Sequence, residues 1–64
     1  MLKGIEILSE SDVSWEDAAR KAVAQSAATV RNVKSIYIEN FEATVDGKEI
    51  VKFRVNAKIS FVLE

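Results

Sequence analysis

Sixty-four residues with no cysteine and no histidine set narrow bounds on what this chain can be. They suffice for one domain, and the missing thiols and imidazoles exclude disulfides, thiolate metal sites and the commonest metal ligand. Nine Lys and Arg stand against ten Asp and Glu, a formal net charge of −1, so the basic excess that a nucleic-acid surface needs is absent.

No apolar run approaches the roughly 20 residues that cross a bilayer, and no signal-peptide pattern is present, which predicts a cytoplasmic protein without a membrane partner. A 7.1 kDa chain hides only about 60% of its unfolded surface on folding. At roughly 25 cal/mol per Å² that burial contributes on the order of 90 kcal/mol, and ordering the chain costs about the same. An isolated monomer is therefore marginal. With disulfides and metals excluded, self-association is the remaining support, and the 48% hydrophobic content is ample for it.

No Pro, repeat or low-complexity stretch interrupts residues 1–64, which read as a single domain. Leu2, Ile5, Ile7 and Leu8 around Glu6 predict a short first strand with one face buried. The polar segment 9–12 then leads to a clear helix start. Ser14 is placed to cap, and Asp17 three residues on gives a capping-box-like pair, with Glu16 adding negative charge at the positive end of the helix dipole. Trp15, Ala18, Ala19, Ala22, Val23, Ala27 and Val30 recur at helical spacing, and Arg31 and Asn32 are expected to close the helix.

A second strand is expected from about Val33 to Val45. Ile36 and Ile38 share one parity, while Phe41, Ala43 and Val45 share the other, so a bulge near Glu39–Asn40 is predicted. Asp46-Gly47 signals a hairpin. The third strand is the best patterned: Val51, Phe53, Val55, Ala57, Ile59, Phe61 and Leu63 alternate with Lys52, Arg54, Asn56, Lys58 and Ser60. Antiparallel pairing with both other strands would put it at the centre of the sheet, and its length requires it to curl around the helix or extend into a neighbour. The fold class is α+β, in the order β-α-β-β.

Catalytic chemistry has little to work with. Serine and threonine hydroxyls lack the usual histidine base, and Gly4 and Gly47 stand alone rather than in a phosphate-binding loop, so the chain is not read as an enzyme. The acidic residues between Glu10 and Asp17 could offer oxygens to a hard cation, but they lack the spacing of an EF-hand loop, and helix capping explains them more simply. Trp15 reads as an apolar anchor at the start of the helix rather than a stacking platform. Lys52, Arg54 and Lys58 form a basic row that is ordinary solvated charge in a monomer. In a closed shell it could line a wall or bind an anion.

Taken in order and spacing, Ser14-Trp15-Glu16-Asp17-Ala18-Ala19, Thr29-Val30-Arg31-Asn32-Val33 and Phe53-Arg54-Val55-Asn56-Ala57-Lys58-Ile59-Ser60-Phe61 resemble the dodecin family over nearly the whole chain. The resemblance implies a three-stranded antiparallel sheet wrapped around one helix, and twelve copies closed into a hollow shell. It also implies a flavin-binding, storage or buffering function. In the family a Trp early in the second strand stacks on the flavin ring and a Gln in the third strand hydrogen-bonds it. Those positions here are Ser35 and Arg54, with Tyr37 and Lys52 as neighbours. Loss of a stacking platform removes roughly 1–3 kcal/mol per ring by analogy with base stacking, about tenfold to a hundredfold in affinity. The expectation is a homododecameric small-ligand storage protein whose flavin binding is weak or lost. The alternative is a structural shell that holds cations such as Ca²⁺ and no organic ligand.

Overall fold

Gly47 sets the geometry of the longest feature in the molecule. It adopts φ +66°, which Gly tolerates without strain, while Lys48 stays at negative φ, the sign pattern of a type II′ turn. Asp46 and Glu49 pair across this two-residue loop. The turn joins β2 (Val33–Asp46) to β3 (Glu49–Val62), each 14 residues long, in a hairpin whose length accounts for most of the 48 Å long axis. β1 (Leu2–Ser11) pairs antiparallel with the other side of β3, giving the sheet order β1-β3-β2 with the predicted strand at its centre. The computed structural model describes residues 1–63. Among these, no helix is long and apolar enough to cross a membrane.

The predicted parity change in β2 is a register shift between Ile38 and Asn40 that leaves Glu39 without a partner on β3. One extra residue returns Phe41 and Ala43 to the helix-facing side, opposite Val55 and Phe53. Two further shifts, at Val33/Ser35 and at Thr44/Val45, were not signalled by the residue pattern.

β1 is longer than its apolar residues suggested. Ser9, Glu10 and Ser11 are not a linker; they pair with Val55, Arg54 and Phe53. Ser9 and Ser11 are small enough to be buried under the helix, and Glu10 on the opposite face meets Arg54, so polar residues complete a strand here for specific reasons. Ile5 and Ile7 point toward the buried side, while Leu2 and Leu8, on the same face as Glu6, are exposed.

The helix α1 (Trp15–Ala27) begins as its sequence dictates, with the Ser14 hydroxyl accepting from the Asp17 backbone N–H at 2.9 Å. The reciprocal bond differs from a capping box. The Asp17 carboxylate accepts from the Ser11 hydroxyl at 2.6 Å, and Ser11 Oγ accepts from the Val13 N–H at 2.9 Å, so the last residue of β1 ties strand to helix. At the other end the helix stops before Arg31 and Asn32. The Ser26 carbonyl accepts from the Thr29 and Val30 N–H groups, and Asn32 takes φ +60° to turn the chain into β2.

Ala18, Ala22 and Ser26, one turn apart, form the buried line of α1 against Val55, Ala57, Ile59 and Phe61 of β3. Ser26, not Ala27, completes that line. Its hydroxyl is buried without a partner among the described residues. An unsatisfied buried hydroxyl costs about 1–3 kcal/mol, and Ala is also the better helix former. Ser26→Ala is therefore expected to stabilise the protein by about 1 kcal/mol, seen as a rise of several degrees in the thermal midpoint at fixed protein concentration. A fall would mean that the hydroxyl is satisfied across an interface.

The molecule is unusually extended for its size. Its radius of gyration is 12.9 Å, where a compact 64-residue domain would have roughly 10.7 Å. Its accessible surface is 4658 Å², against roughly 4,100 Å² for a compact monomer of this mass. Phe41, Val45, Ile50 and Val51 of the hairpin are among the large apolar residues left exposed.

Candidate functional site on the outer face of the sheet

The face of the sheet turned away from α1 is a ladder of polar rows fixed by strand register. From one end, Gly4, Ser60 and Ser35 lie side by side, then Glu6, Lys58 and Tyr37, then Leu8, Asn56 and Asn40, then Glu10, Arg54 and Glu42. Thr44 and Lys52 follow toward the turn.

Arg54 is the most engaged residue of this face. Its Nε and Nη2 donate to one oxygen of Glu10 at 3.2 and 3.1 Å, and Nη1 stands 3.6 Å from the Glu42 carboxylate. The hydrogen bond to Glu10, then the charges of Glu10 and Glu42, hold the guanidinium above its ordinary pKa, so it is a permanent cation. The two carboxylates together outweigh it, which makes this row acidic rather than basic. The basic row expected of the third strand is thus broken up: Arg54 lies between acidic residues and Lys58 lies opposite Glu6.

The four residues singled out from the sequence fall into two pairs. Ser35 and Tyr37 sit near one end of the ladder, opposite Ser60 and Lys58. Arg54 and Lys52 sit toward the other end, six or more positions along β3 from Ser60, which is about 20 Å at roughly 3.3 Å per residue. Tyr37 and Arg54, the nearest members of the two pairs, are set four positions apart along β3, about 13 Å at roughly 3.3 Å per residue. Sequence reasoning missed Glu10 and Glu42 as partners of Arg54. The signal was an acidic residue on each neighbouring strand, legible only once the bulge positions, and hence the register, are known.

Trp15 is not available to a ligand as a free ring. It packs edge-on against Phe53, with centroids 4.9 Å apart, and against Phe41 at 5.8 Å, and its indole N–H donates to the Glu42 carbonyl at 2.8 Å. The acidic residues from Glu10 to Asp17 disperse in the same way: Glu10 goes to Arg54, Glu16 to Arg20 at 3.0 Å, and Asp17 to Ser11 and Lys21. Among the described residues no three acidic side chains converge where a metal ion could sit. Three concavities are lined by other residues. One lies under the helix end at Thr29–Asn32 and Phe61–Leu63, one between α1 and Ile36, and one around Leu8 and Asn56.

Comparison with known proteins bears on the whole chain. A dodecin from T. thermophilus superposes with a TM-score of 0.94 at 22% identity, covering 100% of this chain and 96% of that one. A dodecin from Streptomyces coelicolor gives 0.93 at 20% identity, covering 100% and 91%. A calcium dodecin from Mycobacterium tuberculosis, described as calcium chelating with a novel calcium-binding site, gives 0.84 at 28% identity, also covering 100% and 91%. No curated protein sequence matches the chain. These likenesses establish the fold, and the dodecin family model matches residues 1–64 from end to end: the chain belongs to the dodecin family.

Proposed function

We propose that this protein is a binding and storage protein rather than an enzyme, built as a shell of twelve copies that holds a small ligand and binds flavin weakly or not at all. The observation that carries the assembly is the extended subunit. Its surface and radius of gyration both exceed those of a compact monomer, and large apolar residues such as Leu8, Phe41, Val45 and Ile50 are exposed on it. Membership of the dodecin family supports the same reading. Weak flavin binding rests on two positions: Ser35 offers no ring to stack on, and Arg54, already engaged by Glu10 and Glu42, is not free to replace a neutral amide. Tyr37 and Lys52 flank these positions.

A second reading, a shell that holds cations without an organic ligand, is favoured by the likeness to the calcium dodecin. One chain offers no converging acidic trio among its described residues, so carboxylates of several copies would have to share the ion.

Native mass spectrometry followed by calorimetric titration separates these readings. Twelve copies are expected, with little or no heat on adding FMN. Ser35→Trp combined with Arg54→Gln should strengthen FMN binding about tenfold to a hundredfold. No gain from that pair would show the ligand site to be misplaced. Saturable heat with Ca²⁺ and none with FMN in either protein would favour the cation shell.

A further inference from the structure

We propose that Asp46, at the turn of the β2–β3 hairpin, is a modification site where the native protein converts aspartate to isoaspartate without an enzyme. The nucleophile is the main-chain nitrogen of Gly47. The other aspartates, Asp12 and Asp17, precede Val13 and Ala18, whose side chains obstruct such an attack. A Cβ built on Gly47 would meet nothing within 4 Å, so the turn is open on that side as well.

Extended backbone turns the aspartate side chain away from the following nitrogen. Attack therefore needs a rotation at Asp46 that a closed rung forbids and an opened one allows. The structure weakens this rung in several independent ways. β1 ends at Ser11, opposite Phe53, so from Lys52 to the turn the sheet has only two strands. A two-stranded hairpin is at best marginally stable in water. The register shift between Thr44 and Val45 leaves Val51 without a partner and separates the last pairs from the rest of the ladder. The final pair sets Asp46 directly opposite Glu49, and like charges facing each other across strands are unfavourable. Residues 43–52 are exposed throughout, so no packing offsets these losses.

The conversion needs only water. The Gly47 nitrogen bonds to Cγ of the Asp46 carboxyl group and a Cγ–O bond breaks. That oxygen leaves as water, taking the amide proton and the carboxyl proton. Water then reopens the ring. Opening at Cγ restores aspartate. Opening at the main-chain carbonyl breaks the original peptide bond and leaves the chain running through Cβ and Cγ, with the former main-chain carbon as a free carboxylate. Composition and charge are unchanged, but the main chain gains a methylene at the turn, so the Asp46–Glu49 pair cannot re-form in its native register.

The test keeps the assembled protein for weeks at physiological pH and temperature in water enriched in heavy oxygen, then maps the label by peptide mass spectrometry. The peptide carrying residue 46 should gain heavy oxygen and become a substrate for a methyltransferase specific for isoaspartate. Gly47→Asn, which accepts the positive φ but obstructs the nitrogen, should lower the rate severalfold. Glu49→Lys, which turns the last pair into an attracting one, should do the same. An unlabelled Asp46 in the native protein, with label entering only after unfolding in urea, would overturn the proposal, because the rung then stays closed. Equal labelling at Asp12 or Asp17, or a rate that Glu49→Lys leaves unchanged, would overturn it too, since opening of this rung would not be what exposes the bond.

Discussion

Replacing Trp15 by alanine is expected to destabilise the protein by about 3–5 kcal/mol, and in a chain this small that leaves little folded material. Trp15 fastens the start of α1 to both strands of the hairpin. Its ring meets Phe41 of β2 and Phe53 of β3 edge-on, an arrangement worth about 0.5–1.5 kcal/mol per pair beyond area burial. Its N–H satisfies the Glu42 carbonyl, which alanine would leave to solvent. Chemical denaturation followed by far-ultraviolet circular dichroism reads the loss directly. Trp15→Phe keeps most of the apolar contact and gives up the hydrogen bond, so it should cost only about 1 kcal/mol. An alanine variant as stable as the parent would mean that Trp15 is not an anchor, and its role as a ligand platform would have to be reconsidered.

Ile59→Ala is expected to cost about 2–5 kcal/mol. Ile59 is fully buried in the C-terminal third of β3, with Ile5 opposite on β1 and Ile36 opposite on β2. The alanine-lined side of α1 brings helix and sheet close together but has no long side chain to move into the space left behind. The lost methyl and methylene groups would therefore leave a cavity rather than a repacked core. Denaturant unfolding should show a lower midpoint with an unchanged slope. Val45→Ala makes a useful control, since Val45 is exposed in the single chain. A large loss there, dependent on protein concentration, would report assembly rather than the core.

The element order, the central position of the third strand and the bulge in the second could all be read before any coordinates, because each follows from a local rule. Side chains alternate with period two in a strand and about 3.6 in a helix, and one inserted residue reverses the parity. The Ser14 cap is equally local, since a hydroxyl at that position reaches a backbone N–H three residues on. The extent of β1 was not legible. Ser9 and Ser11 read as loop residues by composition, yet they are buried because small side chains fit beneath the helix. The end of α1 was misplaced for a related reason: Arg31 and Asn32 suit a helix terminus, but it is the Ser26 carbonyl, accepting from Thr29 and Val30, that closes it.

The candidate site divides along the same line. Composition alone settles which residue types are available: a serine at position 35, an arginine at position 54, and no histidine or cysteine. What those residues meet depends on the pairing of distant strands. Arg54 is held between Glu10 and Glu42 because three strands place distant parts of the chain in one row, a consequence of register and bulges that no local rule supplies. The same register sets Ser35 about 20 Å from Arg54. Non-local pairing is settled by the summed packing of the whole domain, so it becomes visible only when the strands are laid side by side.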